Sequence, residues 1–110
     1  MDIRQVADGF SVSGQISPSD VAELKTAGFR SIICNRPDNE DGAIPHTQVE
    51  GAAKEAGLNF RYIPAISGQL TQANVDDMAA ALGELDGPVF AYCRSGARST
   101  NLYMMASQKG

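Results

Sequence analysis

The amino-acid sequence predicts an α/β fold with a largely parallel central sheet flanked by helices. Short apolar runs alternate with stretches of helical periodicity, and the connections are long enough for right-handed crossovers between parallel strands. A parallel sheet places its working site at the carboxyl ends of its strands. We therefore expect three loops to meet at one edge of the sheet: 35–46, 64–70 and 93–98.

The first third of the chain predicts a hairpin, a helix and a buried strand. Asp8-Gly9 is a hairpin-turn dipeptide between two short strands. Ser17 and Pro18 are typical of a helix start, and Gly28 is typical of a helix end. The predicted strands are 3–6, 10–13 and 30–34, and the predicted helix is 18–28.

The remainder predicts two strands and three helices. Thr47 and Glu50 have the spacing of a capping box, and Thr71 is a candidate N-cap for a longer amphipathic helix. Leu102, Tyr103, Met104 and Met105 are expected to pack into the core from the last helix. The predicted strands are 58–63 and 89–92, and the predicted helices are 47–57, 71–85 and 99–108.

Composition indicates one ordinary globular domain, residues 1–110. Hydrophobic residues are 43% and charged residues 20%, and the net charge of −4 argues against a nucleic acid or an anionic membrane surface as partner. The sequence shows no apolar leader and no run of about 18 apolar residues, so a cytoplasmic location is expected. Two cysteines do not make a disulfide scaffold, and in the cytoplasm a prominent cysteine is more often reactive.

The loop at 93–98 holds the residue types of a thiolate and anion site. Cys93 follows the apolar run 88–92, and Gly96 lets the loop amides converge before a helix start. Such surroundings lower a thiol pKa from about 8.5 by one to several units. Arg98 can bind two oxygens of an anion at once, and Ser99 can hydrogen-bond the sulfur. The predicted catalytic residues are Cys93, Arg98 and Ser99, and the predicted anion-binding residues are Arg94, Ser95, Gly96 and Ala97.

The segment 93–99 resembles the active-site loops of cysteine phosphatases and of rhodaneses, which place a catalytic cysteine at the head of an anion-binding loop. Residues 8–15, 18–28 and 32–37 resemble the opening of dual-specificity-phosphatase-like domains. The whole chain resembles the small bacterial family of phosphatase-like domains of beta-lactamase-hydrolase-like proteins. The most specific matches are Ile33-Cys34-Asn35-Arg36-Pro37 and Tyr92-Cys93-Arg94-Ser95-Gly96. The resemblance implies a three-layer protein-tyrosine-phosphatase-like fold.

Three departures from the phosphatase pattern favour sulfur chemistry. Four residues separate Cys93 from Arg98, as in rhodaneses, whereas tyrosine phosphatases carry five. Tyr92 stands where phosphatases usually have histidine, and the loop 64–70 lacks their aspartic general acid. Without an acid, cleavage of an ester with a poor leaving group loses about 10²–10⁴-fold, whereas sulfur transfer needs no proton donor.

The leading hypothesis is therefore a sulfurtransferase of rhodanese type. The Cys93 thiolate would take the outer sulfur of thiosulfate or a small persulfide, and a second thiophile would remove it from the Cys93 persulfide. The first alternative is a cysteine phosphatase that acts on phosphate esters through a Cys93 phosphocysteine. The second is a non-catalytic sensor of anions or persulfides. Related domains are fused to persulfide dioxygenases, so the resemblance also implies a sulfur-oxidising partner protein.

Residues outside this loop have several interpretations. Cys34 either resolves an oxidised Cys93 or is a buried apolar thiol, and Arg36 either steers anions or pairs with a neighbouring carboxylate. The acidic residues of loop 35–46 either supply a general acid or are solvated: Asp38, Glu40 and Asp41. His46, the only histidine, is expected at the surface. One histidine and two separated cysteines make no zinc site, and neither a metal nor a cofactor is expected.

Overall fold

A five-stranded sheet organises the chain in the structure, a computed structural model that describes residues 1–109. The sheet has the order β1-β2-β5-β3-β4. The strands are β1 (Arg4–Ala7), β2 (Phe10–Ser13), β3 (Ser31–Cys34), β4 (Asn59–Tyr62) and β5 (Val89–Tyr92). The helices are α1 (Val21–Thr26), α2 (His46–Glu55), α3 (Gln72–Glu84) and α4 (Ala97–Lys109), with a 3-10 turn at Pro18–Asp20 before α1.

The sheet is largely parallel, as predicted. β1 and β2 form an antiparallel hairpin, whereas β2–β5, β5–β3 and β3–β4 are parallel pairs. The central strand, β5, is buried along its whole length because it has a neighbour on each side and helices over both faces. A continuous apolar run such as Val89–Tyr92 is the pattern that this position requires.

Two apolar clusters make the fold three layers deep. On one face, Val89 and Ala91 of β5 pack against α3 and α4. On the other face, Phe90 and Tyr92 pack with residues of α1 and α2. Each large side chain of this kind contributes about 1.5–3 kcal/mol when fully buried. The two clusters therefore fix β5, and with it the position of the residue that follows.

Several predicted boundaries are wrong. α2 begins at His46 behind Pro45, so Thr47 and Glu50 do not form the predicted capping box. α4 begins at Ala97 rather than at Ser99, so Ala97 and Arg98 belong to its first turn and not to a loop. Thr71 does cap α3, since its hydroxyl accepts from the Asn74 amide at 3.1 Å.

The prediction for the last helix is correct for two residues and wrong for two. Leu102 is fully buried and Tyr103 packs half-buried against the same cluster, but Met104 and Met105 are 52% and 44% exposed. None of the helices in residues 1–109 is long and apolar enough to cross a membrane.

Candidate active site

Cys93 lies directly after β5, at the middle of the carboxyl edge of the sheet. Cys93 is 1% exposed, and its amide donates to the Ser13 carbonyl of the neighbouring β2 at 3.4 Å. The amide of Gly96 donates to the Cys93 sulfur at 3.1 Å. Residues 93–96, here called the cysteine loop, therefore wrap around the thiol.

Opposing effects act on the ionisation of Cys93. Burial alone would raise the pKa of this thiol. The backbone amides of Ser99, Ser95 and Gly96, together with the Ser99 hydroxyl, hydrogen-bond the sulfur and more than offset burial, so the pKa is lowered from its ordinary value. The thiolate is stabilised by neutral donors of the loop and of the first turn of α4.

Two glycines shape the cysteine loop. Gly96 has φ of +96°, and a side chain there would collide with the Arg4 guanidinium and approach Val12 at 3.3 Å. Gly14, the residue after β2, lies so close to the loop that an added Cβ would be 2.7 Å from the Arg94 carbonyl. The loop conformation thus depends on one glycine within it and on one that faces it.

Arg98 is a buried arginine anchored by one side of its guanidinium. Its Nη1 donates to Glu40 Oε2 at 2.6 Å and to the Ala65 carbonyl at 2.8 Å, and Nη2 donates to Glu40 Oε1 at 3.1 Å. Its Nε makes no hydrogen bond to a residue that the structure describes. The guanidinium is held rigidly, and its Nε side is available for an anion.

Arg36 is held by Glu40 and by the backbone of the loop that follows β3. It donates to Glu40 Oε1 at 3.1 Å, to Gln15 Oε1 at 3.0 Å and to the Asp41 carbonyl at 2.5 Å. Arg36 was expected either to steer anions or to pair with a neighbouring carboxylate, and its contacts show the pairing. Hydrogen bonding from Arg98 lowers the pKa of Glu40, with Arg36 contributing in the same direction.

Asn35 connects the strands around the site. It is fully buried, and its side-chain amide donates to the Ile63 carbonyl at 2.9 Å, which fixes the amide orientation. Its Oδ1 accepts from the Ser99 hydroxyl at 2.8 Å. The Ser99 hydroxyl therefore lies between Asn35 and the Cys93 sulfur, and its single proton can be donated to only one of them at a time. Asn35 is a positioning residue for Ser99.

The three loops expected at the carboxyl edge do meet there. They enclose a cleft of about 630 Å³. Residues 35–45, here called the acidic loop, line one side, the 63–71 loop lines another, and the cysteine loop and α4 form the floor. The lining residues are Arg36, Glu40, Asp41, Ser67, Arg94, Ser95 and Arg98. The cleft suits a small anionic group.

Cys34 has surroundings unlike those of Cys93. Both thiols are free, but Cys34 packs with Tyr92 in the cluster beneath α1 and α2. Its sulfur donates to the Arg36 carbonyl at 3.4 Å, and burial raises the pKa of the thiol. The Tyr92 hydroxyl lies beside this sulfur without a well-aligned hydrogen bond. The structure assigns Tyr92 to the core, and the hypothesis that Cys34 resolves Cys93 stays a prediction.

His46 is less exposed than expected. Its ring stacks on Tyr62 with centroids 3.6 Å apart, and its Nδ1 contacts Asp38 Oδ2 at 2.7 Å. The His46 amide donates to Asp38 Oδ1 at 2.8 Å. Asp38 therefore anchors the acidic loop to the start of α2. Residues 1–109 hold no cluster of three or more histidine, cysteine or acidic side chains suited to a metal ion.

Sequence reasoning missed three contributors to the site. Arg4 of β1 donates to the Ser95 carbonyl behind the cysteine loop, and Gly14 and Asn35 contact the loop and Ser99 from other strands. For these three residues the sequence offered one local signal, which was the position of Asn35 within the family-like segment 33–37. The contacts join residues far apart in the chain, and the strand order that creates them was not derivable from local patterns.

The parallel sheet between helix layers, with a cysteine beneath amides after the central strand and an arginine from the next helix, makes a three-layer, tyrosine-phosphatase-like fold. Comparison with known proteins agrees. Residues 2–110 match the family described as "Beta-lactamase hydrolase-like protein, phosphatase-like domain". The chain belongs to that family.

Curated relatives are longer than this chain. It is 34% identical over 106 residues to a beta-lactamase hydrolase-like protein of Agrobacterium fabrum, and 32% identical over 107 residues to one of Xylella fastidiosa. Each match covers 96% of this chain and 25% of the relative. The chain thus spans about a quarter of the length of these relatives.

Solved structures support the same fold. A "putative phosphatase" of Neisseria meningitidis shares 28% identity, with a TM-score of 0.84 over 94% of this chain and 74% of that chain. The core catalytic domain of a PP-IP phosphatase of S. cerevisiae shares 12% identity, with a TM-score of 0.61 over 86% of this chain and 56% of that chain, which shows the fold alone. These comparisons favour the phosphatase hypothesis and lend no support to sulfur transfer or to a sulfur-oxidising partner.

Proposed function

We propose that the domain is a cysteine phosphatase that hydrolyses small phosphate monoesters through a Cys93 phosphocysteine. The observation that carries the proposal is the donor set around the Cys93 sulfur, which lowers the pKa of the thiol beneath the loop that lines the floor of the cleft. The family's phosphatase-like description and its phosphatase-like neighbours support the reaction class.

The first chemical step uses the thiolate as nucleophile. Cys93 attacks phosphorus, the bond from phosphorus to the ester oxygen breaks, and phosphate is held on sulfur. The equatorial oxygens carry negative charge in this transition state and need donors that are already in place. The amides of the cysteine loop and the Nε side of Arg98 are the donors proposed for that role.

Arg98 needs little reorganisation to act on phosphate. Glu40 and the Ala65 carbonyl hold its Nη1 side, so the guanidinium is oriented before substrate arrives. Preorganisation of this kind is the main source of electrostatic catalysis. Ser99 completes the arrangement, because its hydroxyl, once it turns from Asn35, donates to the thiolate that leaves when phosphocysteine is hydrolysed.

Turnover of 4-nitrophenyl phosphate by the wild type and by Cys93→Ser tests this proposal. We expect hydrolysis by the wild type and a loss of at least about 10⁴-fold in Cys93→Ser, because a serine hydroxyl is far less ionised than this thiol. Cys34→Ser is the matched control and should keep its activity. Undiminished turnover in Cys93→Ser would overturn the proposal.

Sulfur transfer is the second candidate, and one observation favours it. Only four residues separate Cys93 from Arg98, the spacing of rhodaneses. Sulfur transfer from thiosulfate to cyanide, measured on the same two proteins, discriminates between the candidates. Sulfur transfer that depends on Cys93, without phosphate turnover, would favour the sulfurtransferase over the phosphatase.

A further inference from the structure

The acidic loop presents three carboxylates near the cleft, and two of them are engaged. Asp38 accepts from the His46 amide and contacts its ring at 2.8 and 2.7 Å. Glu40 accepts from Arg98 and Arg36 at 2.6 to 3.1 Å. Asp41 lines the cleft, and its carboxylate makes no hydrogen bond to a residue that the structure describes.

Proton donation requires a carboxyl group that can be protonated at the working pH. Glu40 does not meet this requirement, because the hydrogen bonds from Arg98 and Arg36 keep its pKa low and its carboxylate ionised. Asp38 is turned toward α2 and lines a different cleft from the one that holds Arg98. Asp41 is therefore the acidic side chain of this loop that is both on the cleft and unengaged.

The backbone of Asp41 is fixed although its side chain is exposed. Arg36, 6% exposed, donates to the Asp41 carbonyl. The next residue, Gly42, has φ of +79°, a conformation that turns the chain back toward α2. The acidic loop is thus pinned at residue 41 beside the floor formed by Arg94, Ser95 and Arg98.

We propose that Asp41 is the general acid of the phosphatase reaction, in place of the aspartate that the 64–70 segment lacks. This inference rests on the proposed function and adds its proton donor. It also predicts that the domain cleaves esters of poor leaving groups, such as alkyl and simple aryl phosphates, and not activated esters alone.

The protons balance in both steps. In the first, Cys93 thiolate attacks the ester dianion while Asp41 gives its proton to the departing oxygen, so a neutral alcohol leaves and Asp41 becomes a carboxylate. In the second, that carboxylate takes a proton from the water that attacks phosphocysteine. Hydrogen phosphate leaves, the thiolate returns, and Asp41 is protonated again.

The test is a series of phosphate esters with leaving groups of rising pKa, hydrolysed by the wild type and by Asp41→Asn. We expect Asp41→Asn to lower kcat/KM by about 100-fold or more for phenyl phosphate but by less than about threefold for 4-nitrophenyl phosphate. Asp77→Asn, an exposed aspartate on α3, is the matched control and should change neither.

The pH profile gives a second readout that a merely structural role would not move. Arg36, Glu40, Arg94 and Arg98 are the charged groups that share the cleft with Asp41. Because a general acid donates only in its protonated form, wild-type kcat/KM for phenyl phosphate should fall toward high pH. Asp41→Asn should lack that descending limb, because its amide has no proton to lose.

The outcomes separate the two proposals. An Asp41→Asn protein that loses nothing, or that loses equally on every ester, overturns the assignment of Asp41 and leaves the Cys93 phosphatase standing. A wild type that turns over no phosphate ester overturns the phosphatase, and the assignment of Asp41 falls with it.

Discussion

Cys93 and Cys34 are two buried thiols at the ends of neighbouring strands, and their environments differ sharply. Each is 1% exposed, and burial raises the pKa in both cases. Amides and a hydroxyl converge on Cys93, so its pKa is lowered, whereas the Cys34 pKa stays raised. Burial alone therefore does not decide reactivity, because the donors around the sulfur do.

The two cysteines also differ in where they lie at the carboxyl edge of the sheet. Cys34 packs with Tyr92 on the face that α1 and α2 cover. Cys93 follows β5 and begins the cysteine loop, which leads into the N-terminus of α4. Backbone amides without helical partners give that terminus a positive potential. Four substitutions test this contrast, with expected losses of activity that decrease from Arg98→Lys to Cys34→Ala.

Arg98→Lys should have the largest effect, because the Cys93 site has a guanidinium clamp and the Cys34 site has none. A lysine cannot keep Glu40 and Ala65 on one side while presenting donors to phosphate on the other. We expect kcat to fall by about 10²–10³-fold, the cost of removing one preorganised donor. The control is Arg61→Lys, whose exposed guanidinium pairs with Glu84; an equal loss there would contradict the account.

Gly96→Ala should damage the loop that distinguishes Cys93. The residue must keep φ of +96° and avoid the Arg4 guanidinium, at a cost of about 1–3 kcal/mol of folding free energy. We expect a loss of about 10–100-fold in kcat/KM from misplaced amides. Gly57→Ala has a similar φ of +80° but no neighbour within 4 Å, so denaturant melts should show destabilisation in both and loss of activity in Gly96→Ala alone.

Ser99→Ala should make Cys93 more like Cys34. Without the hydroxyl the Cys93 pKa rises, and kcat/KM below the shifted pKa should fall about 10-fold or more, since hydrogen bonds to charged groups contribute about 1.5–3 kcal/mol. The acid limb of the pH profile moves upward. Ser107→Ala, farther along α4, is the control, and an unmoved acid limb in Ser99→Ala would contradict the role given to the hydroxyl.

The same substitution has a stability signature. Because the folded pKa of Cys93 lies below its unfolded value, the ionised thiol stabilises the native state above the unfolded pKa. That contribution is lost as pH falls through the folded pKa. Ser99→Ala should reduce this pH dependence of the free energy of unfolding. Denaturant unfolding measures it at pH values between the folded and the unfolded pKa of Cys93.

Cys34→Ala should have the smallest effect. The thiol lies outside the cleft and donates only a weak bond to the Arg36 carbonyl. We expect kcat/KM to change by less than about threefold. This is smaller than the tenfold change that corresponds to about 1.4 kcal/mol of activation free energy. Measuring peroxide inactivation in the same variant also tests the resolving-cysteine hypothesis, which requires faster irreversible loss of activity without Cys34.

The strongly patterned elements could be predicted from the sequence. β2 and β5 match their predicted bounds, because Phe10–Ser13 and Val89–Tyr92 are compact runs flanked by turn residues. The segment also predicts a candidate site at Cys93, since cysteine, glycine and arginine follow such a run. Local pattern is sufficient where one short segment carries the whole signal.

Other features depended on contacts that local pattern does not contain. The start of α2 at His46 follows from the hydrogen bonds of Asp38 and from stacking on Tyr62, which override the capping-box spacing at Thr47. Glu40 reaches Arg98 across 58 positions of the chain. Such contacts exist only once β3 and β5 are neighbours, and that strand order was not derivable from the sequence.

The donors around the sulfur make Cys93, and not Cys34, the ionised thiol. A ¹³C NMR titration of the two cysteine Cβ signals, assigned with Cys34→Ser, tests this difference. The Cys93 signal should shift at a pH below the ordinary thiol pKa of about 8.5, and the Cys34 signal should shift above it. Two signals that shift together, or in the reverse order, would contradict it.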